Sequence, residues 1–231
     1  MESAMKTMAA PGWFAAHATV RTDSYVMLAS LLGQMPSEEL LNILRNLHWD
    51  DAIPEKLNHA LVALHQAAHD YSPADLEGEF NNLFIGLGSG EMVPYASWYR
   101  EKMIQSTPLA SLRSDLIKLG IVRQTGCHES EDHAGALCEI MAIISQKPND
   151  ISHAEQARFF HRHIAPWMMT FFKDLQSAKS ADFYRTVGLF GSCFLETESE
   201  YLNQDVNTPF PKTEGGLQNE NGIPQQPTDI Y

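Results

Sequence analysis

The sequence predicts an all-α fold, and three observations support this. Apolar residues recur at intervals of three and four along most of the chain, which is the spacing of one face of an α-helix. Strict alternation of apolar and polar residues over the length of a strand is hard to find. Ser, Pro and acidic residues precede several apolar segments in the order typical of helix starts. We therefore expect a single helical domain of about nine to ten helices over residues 1–203.

Capping residues, prolines and first-turn acids mark the predicted helix starts. These signals stand at or just after Pro36, Pro54, Ser72, Thr107, Ser130, Ser152 and Ser180. Ser152-x-x-Glu155 has the spacing of a capping box. The first helix is expected to end near Gly33, the helix from Thr107 at Gly120, and the last helix near Leu202.

Apolar residues that share one face of each predicted helix are expected to form its core side. In the first four helices these residues are Val26, Leu28, Leu31, Leu32, Leu40, Leu41, Leu44, Leu47, Leu57, Leu61, Leu64, Leu76, Phe80, Leu83 and Phe84. From Asn203 onward, Pro, Gly, Asn and Gln replace this periodicity. We therefore expect residues 204–231 to be an irregular C-terminal tail and not a second domain.

The charge balance limits the possible partners. The chain has 16 basic and 29 acidic residues and a net charge of −13. The negative electrostatic field of such a protein repels nucleic acid and anionic lipid and attracts cationic segments. We expect a basic peptide as a partner, and no nucleic acid. No apolar run approaches the roughly 20 residues that span a bilayer, so we expect no stable membrane insertion.

Cysteine and histidine positions argue against a metal or disulfide framework. Cys127, Cys138 and Cys193 are widely spaced and form no Cys-x-x-Cys pair. A reducing cytoplasm therefore fits best. His65 and His69 are four residues apart, yet no glutamate stands at the Glu-x-x-His spacing of a di-iron bundle. We expect no metal and no cofactor.

A glycine-rich break follows the fourth predicted helix. Gly86-x-Gly88-x-Gly90 leads into the aromatic segment Pro94-Tyr95-x-Ser97-x-Tyr99. Glycines permit positive φ and a close approach to a neighbour or ligand. No strand precedes the glycines and no Lys-Ser/Thr follows them, which argues against a phosphate-binding loop. A turn between two helices and a surface for peptide contact both remain open.

An acidic segment, Glu129-Ser130-Glu131-Asp132-His133, precedes a strongly apolar helix. Such acids commonly complement the helix dipole and cap its first amides. Alternatively, carboxylates and an imidazole beside apolar surface bind a guanidinium through charge-assisted hydrogen bonds. A catalytic pair of Asp132 and His133 is disfavoured, because adjacent helical positions do not face each other.

Two signatures in this order resemble the TorD/DmsD/NarJ family of chaperones, which mature molybdenum-containing oxidoreductases in the cytoplasm. The first is Glu79-x-x-x-Leu83-Phe84-x-Gly86-x-Gly88 followed by Pro94-Tyr95-x-Ser97-x-Tyr99, and the second is Glu129-x-x-Asp132-His133 before an apolar helix. A third, weaker similarity to this family is His163-x-x-Pro166-Trp167 with the aromatic pair Phe183-Tyr184. The resemblance covers roughly residues 20–202 and implies a TorD-like helical fold.

The resemblance also implies a binding role and no enzyme activity. Its implied partner is the twin-arginine signal peptide of a molybdoenzyme catalytic subunit, a reductase or a formate dehydrogenase, which is held back from export until its cofactor is inserted. The expected peptide-binding residues are Leu83, Phe84, Gly86, Gly88, Pro94, Tyr95, Ser97, Tyr99, Glu129, Asp132 and His133. Two alternatives are a nucleotide- or pterin-binding protein that uses the Gly86–Gly90 loop, and a helical scaffold. Both a monomer and a dimer are compatible with the sequence.

Overall fold

The computed structural model describes residues 18–49, 53–86, 90–101, 107–123, 129–203 and 228–230. These residues form α-helices, one π-helical turn and two short strands. The helices are α1 (Ala18–Gly33), α2 (Glu38–Arg45), α3 (Glu55–Asp70), α4 (Pro73–Phe80), α5 (Ala96–Glu101), α6 (Thr107–Lys118), α7 (Ala134–Gln146), α8 (His153–His163), α9 (Met168–Ser177) and α10 (Phe183–Leu202). The π-helical turn is Asn81–Ile85, and the strands are β1 (Ile121–Arg123) and β2 (Thr228–Ile230). The predicted all-α class is confirmed.

The core lies between α1, α7 and α10. The most extensive packing joins α1 to α7, and α10 packs against α9 and α3. Helix α7 is apolar almost all round and its residues are nearly all buried, which is the expected place for such a helix. Large aromatic side chains fill the space near α9 and α10: Trp167, Phe171, Phe172, Phe183, Tyr184, Phe190 and Phe194.

A buried ion pair ties the first helix to the last. Arg21 of α1 donates from Nη2 to Oε1 of Glu198 at 2.6 Å and from Nε to Oε2 at 2.7 Å. Its Nη1 donates to Oε1 of Gln156 at 2.8 Å, and the Tyr25 hydroxyl donates to Glu198 at 3.0 Å. Arg21 is 3% exposed and Glu198 is 0% exposed. The sequence analysis did not find this network, because the two ions lie 177 positions apart.

Several predicted helix starts are confirmed. Ser37 caps α2 by accepting a hydrogen bond from the Leu40 amide. Ser72 precedes α4, and its backbone amide and hydroxyl both donate to Asp75. Ser152 and Glu155 form a capping box at α8. In each case both partners lie within three residues of each other, so the pattern is visible in the sequence.

Two predicted caps are wrong. Helix α7 begins at Ala134 and its N-cap is His133, not Ser130. Helix α10 begins at Phe183, not at Ser180. The carboxylate of Glu79, at the end of α4, accepts hydrogen bonds from the amides of Asp182 and Tyr184 at 2.8 and 2.7 Å. The first amides of α10 are therefore bonded by a side chain that is distant in the sequence.

The apolar faces differ from the prediction at three places. Val26 is 46% exposed and does not belong to the core. Helix α2 ends at Arg45, before Leu47. Helix α4 ends at Phe80, so Leu83 and Phe84 lie in the π-helical turn.

The two strands were not predicted. They pair in parallel, with Ile121 opposite Thr228, Val122 opposite Asp229 and Arg123 opposite Ile230. Three residues are too few for an alternating pattern to appear. Residues 1–17, 204–227 and 231, with Cys127 and Gly88, lie outside the described residues. The boundary between domain and tail at residue 203 stays a prediction.

None of the described helices combines the length and the apolar character that crossing a bilayer requires.

Candidate functional site

The glycine break has a defined backbone structure on both sides. The π-helical turn ends at Gly86, whose φ of 57° is readily adopted by glycine, and the Gly86 amide donates to Asn81 O at 2.7 Å. The chain then returns alongside the turn, because the Met92 amide donates to Leu83 O at 2.8 Å. A Cβ on Gly90 would lie 2.2 Å from Leu83 O. Both glycines are thus required by the local backbone. The predicted residue Gly88 lies outside the described residues.

The aromatic segment and the acidic segment lie against each other. Tyr95 and His133 form an antiparallel bridge. The Ala96 amide donates to Asp132 O at 3.0 Å, and the Ala134 amide donates to Pro94 O at 2.8 Å. The two predicted signatures therefore form one surface, although they are far apart in the sequence.

Asp132 and His133 form the buried support of this surface. Asp132 is 1% exposed, and its carboxylate accepts from the Ser97 amide at 3.0 Å and from the Ser130 hydroxyl at 2.6 Å. His133 is 6% exposed, and its Nδ1 accepts from the Gly135 amide at 3.1 Å. Burial lowers the pKa of His133, which keeps Nδ1 unprotonated and able to accept. These groups therefore hold the backbone of both segments.

An open cleft of about 870 Å³ lies beside the bridge. Its walls are formed by the π-helical turn, by residues 90–93 that return beside this turn, by α5 and by the end of α9. The lining residues are Phe84, Ile85, Gly90, Glu91, Met92, Val93, Pro94, Tyr95, Trp98, Tyr99, Asp174, Ser177 and Ala178. Most are apolar or aromatic, so the cleft can accept an apolar segment of a ligand.

Three carboxylates surround the aromatic wall of the cleft. The Tyr95 hydroxyl donates to Glu129 Oε1 at 2.6 Å, and the Tyr99 hydroxyl donates to Asp174 Oδ2 at 3.0 Å. Burial and these carboxylates raise the pKa of both tyrosines, which stay protonated donors. Glu91 accepts from the Lys179 and Ser180 amides, which lowers its pKa. The arrangement combines apolar surface with negative charge.

Apart from Gly86, which ends the π-helical turn, and Gly88, which lies outside the described residues, the predicted site residues divide into two groups. Phe84, Pro94, Tyr95 and Tyr99 line the cleft, and Glu129 stands at its edge through Tyr95. A second group lies behind the cleft: Leu83, Ser97, Asp132 and His133 are buried.

Sequence reasoning missed several residues of the cleft, among them Glu91, Ile85, Trp98 and Asp174. Ile85 is 60% exposed and Trp98 is 38% exposed, and both lie inside the predicted segments. Their positions in the sequence, directly beside the selected residues Phe84 and Tyr99, are the signal that could have identified them. Asp174 lies on α9, and no spacing in the sequence connects it to the cleft.

In the described ranges, no group of three or more His, Cys, Asp and Glu side chains is arranged to hold a metal ion. His65 and His69 do lie together, with ring centroids 4.9 Å apart. Nδ1 of His65 bonds to Leu44 O at 3.0 Å, so this nitrogen has a backbone partner.

Comparison with known proteins finds similar proteins that are named as chaperones or as a redox enzyme maturation protein. The chaperone protein TorD of Vibrio cholerae is 21% identical over 203 residues, which are 80% of this chain and 92% of that protein. A Tat proofreading chaperone, DmsD of Haemophilus influenzae, is 25% identical over 144 residues, 61% of this chain and 67% of that protein. The crystal structure of a redox enzyme maturation protein from Archaeoglobus fulgidus matches with a TM-score of 0.52 and 21% identity, covering 77% of this chain and 94% of that chain.

The family model for the nitrate reductase delta subunit matches residues 50–173, which is more than half of the chain. This range contains the glycine break, the aromatic segment and the acidic segment. The resemblance to the TorD/DmsD/NarJ chaperones is confirmed by these matches. The chain therefore belongs to the nitrate reductase delta subunit family.

Proposed function

We propose that this protein is a cytoplasmic chaperone that binds the twin-arginine signal peptide of a molybdenum-containing oxidoreductase. In this role it holds the precursor back from export until the cofactor is inserted. The cleft carries the proposal, because apolar and aromatic walls stand next to the carboxylates of Glu91, Glu129 and Asp174. The names of the chaperone relatives point to the same role.

The chemistry of a twin-arginine leader matches this cleft. Such a leader has a basic region followed by an apolar segment. Guanidinium groups form strong, charge-assisted hydrogen bonds with carboxylates. The apolar segment would pack on exposed side chains such as Ile85 and Trp98. The role is binding and involves no catalysis.

Direct contact between the leader and Asp132 or His133 stays a prediction. Both side chains are buried, and both bond to backbone amides of the cleft wall or of α7. We therefore expect substitutions there to act by moving Ser97 and the bridge at Tyr95. Asp174 and Glu129 are better candidates for touching the arginines.

The expected affinity is moderate. A disordered leader loses conformational freedom when it binds, which costs roughly 2–5 kcal/mol or more of the interaction energy. A Kd near 1 μM, about −8 kcal/mol, is consistent with release before export.

Calorimetry with a twin-arginine leader tests the proposal through a charge-matched pair of variants. Asp174→Asn removes a carboxylate that lines the cleft, whereas Glu196→Gln removes one on α10 that pairs with Lys56. We expect Asp174→Asn to weaken binding by roughly tenfold, which corresponds to one lost charge-assisted hydrogen bond, and Glu196→Gln to leave it nearly unchanged. Failure of the wild-type protein to bind any twin-arginine leader, or equal effects of the two variants, would overturn the assignment.

A further inference from the structure

Two histidines on α3 lie outside the cleft and stand next to each other. His65 and His69 are four residues apart, so they occupy neighbouring positions on one face of the helix. Their ring centroids are 4.9 Å apart. His65 is partly buried and His69 is exposed. A small ligand can therefore reach the pair from solvent, on the side of His69.

The orientation of His65 is fixed by its neighbours. Its Nδ1 donates to the carbonyl oxygen of Leu44 at 3.0 Å. Since a carbonyl oxygen only accepts hydrogen bonds, Nδ1 carries the ring proton, and Nε2 of the neutral ring keeps its lone pair. The Trp49 ring packs against the same imidazole, with centroids 5.8 Å apart. Histidines that bind metal ions are commonly oriented by a carbonyl oxygen in this way.

The other ring nitrogens of the pair have no partner among the described residues. Neither Nε2 of His65 nor either nitrogen of His69 makes a hydrogen bond or an ion pair there. Nε2 of His65 is also not among the buried polar atoms that lack a partner, so it is open to solvent. Each neutral imidazole thus has a lone pair available to a ligand.

The separation of the two rings matches that of two imidazoles on one metal ion. Zinc–nitrogen bonds are about 2.0–2.1 Å long, so imidazoles bound at angles of about 90–110° place their ring centroids roughly 4.5–5.2 Å apart. The observed 4.9 Å lies in this range. Imidazole nitrogen suits copper, nickel and zinc ions, whereas magnesium and calcium prefer oxygen. In the described part of the chain no third His, Cys, Asp or Glu completes a metal site, so water would fill the other positions.

The charges near the pair are compatible with a bound cation. Arg45 approaches the end of α3, where its Nε donates to Ala68 O. Its guanidinium is paired with the Glu38 carboxylate at 2.6 Å, which offsets its positive charge. The net charge of −13 also raises the concentration of cations near the protein.

We propose that His65 and His69 form a surface binding site for a divalent transition-metal ion of the Cu²⁺, Ni²⁺ and Zn²⁺ group. Such a two-histidine site differs from the di-iron arrangement that the sequence argues against. It goes beyond the proposed function, because neither histidine lines the cleft. An ion held by side chains on successive turns binds only the folded helix, so it also stabilises the fold.

Calorimetric titration of the full-length protein with Ni²⁺ tests the site. We expect His69→Gln to bind Ni²⁺ about tenfold more weakly than wild type, or worse, because the second imidazole acts as an intramolecular ligand at high effective concentration. His59→Gln is the matched control, since His59 is exposed on the same helix and Ala63 stands one turn further on. This control is expected to bind as wild type does. Mg²⁺ is expected not to bind at the pair.

Trp49 provides a second, local measurement. Its ring lies beside His65, and a bound Ni²⁺ ion quenches the fluorescence of a nearby indole. We expect Ni²⁺ to quench wild-type fluorescence, and most of this quenching to be lost in His69→Gln and in Trp49→Phe. His69 is exposed, so its substitution should leave the fold intact, which circular dichroism checks.

Absence of Ni²⁺ binding, or equal affinities of wild type and His69→Gln, would overturn the proposal. Quenching that Trp49→Phe leaves unchanged would place the ion elsewhere and overturn it as well. Leader binding at the cleft is measured with and without Ni²⁺ and is expected to be the same. Because the metal and the leader are separate ligands tested on separate variants, failure of the metal site is distinguishable from failure of the proposed function.

Discussion

Single residues deep in the core connect the first helix to the last. The Glu198 carboxylate is fully buried and takes its hydrogen bonds from Arg21 and Tyr25. Removing one member of such a pair leaves an uncompensated buried charge. We expect Arg21→Ala to lower the free energy of unfolding by roughly 3–5 kcal/mol, measured by urea denaturation.

The matched control for this substitution is Lys56→Ala. Lys56 also pairs with an acid of α10, Glu196, at 2.9 Å, but both side chains are well exposed to solvent. Exposed pairs contribute little to stability, so Lys56→Ala is expected to leave unfolding nearly unchanged. Similar losses from the two variants would contradict the importance of burial at Arg21.

His133 makes the stability of the site pH-dependent. Its folded-state pKa is lowered by burial from the usual 6.5, although nearby Glu129 and Asp132 oppose this shift. The unfolded state therefore binds the proton first as the pH falls, and stability present above about pH 6.5 is lost below it. Protonation also converts Nδ1 from an acceptor to a donor and removes the cap on the Gly135 amide.

Denaturation of wild type and His133→Asn at about pH 7.5 and about pH 5.5 measures this effect. Asparagine also caps helices and does not titrate, so we expect a smaller loss of stability at low pH in the variant. His153 and His163, whose pKa values burial also lowers, are present in both proteins and cancel in the comparison. An identical loss in wild type and variant would exclude His133 as the source.

At the scale of elements, the return of the chain beside the π-helical turn depends on Gly90. A Cβ there would lie 2.2 Å from Leu83 O, and the backbone must move to relieve this contact. We expect Gly90→Ala to cost roughly 1–3 kcal/mol of folding free energy. Leader affinity should fall as well, because Gly90 lines the cleft. Thermal or urea denaturation measures the first effect and calorimetry the second.

The control for this prediction is another glycine close by. Gly78 lies within α4, is exposed, and a Cβ there meets nothing within 4 Å. Gly78→Ala is expected to stabilise the protein by roughly 0.5–1 kcal/mol, because alanine loses less backbone entropy in a helix. If both substitutions changed stability in the same direction, close packing at Gly90 would not be its reason for being glycine.

The same elements show what the sequence could predict about the fold. Caps whose partners are three residues apart, such as Ser72 with Asp75 and Ser152 with Glu155, were predictable from local spacing. The start of α10 was not, because Glu79 reaches its amides from about a hundred positions away. The three-residue strands were not predicted for a similar reason, because they pair with each other across a large distance in the sequence.

For the whole molecule, the candidate site was partly predictable. Both signatures were identified in the sequence, and their contact across the bridge at Tyr95 and His133 unites them. The sequence could not show which of the site residues are buried and which are exposed. A carboxylate at a helix start can face solvent or lie beneath the wall, and only packing makes Asp132 1% exposed. Asp174 enters the cleft through the packing of α9, which no local pattern records.

The negative charge of the whole molecule leads to the last prediction. Net charge of −13 attracts a cationic leader at long range, and carboxylates at the cleft attract its arginines at short range. Screening shortens the range of such forces to about 10 Å at 0.1 M salt, so we expect leader affinity to fall several-fold from about 0.05 M to about 0.5 M NaCl. The affinity of a leader with both arginines replaced by alanine should depend much less on salt, because fewer positive charges on this leader are attracted to the protein. With Asp174→Asn the arginine leader should show a shallower salt slope than with wild type. A flat response of the arginine leader would mean that apolar contacts alone hold it, and the carboxylates around the cleft would then have no part in binding.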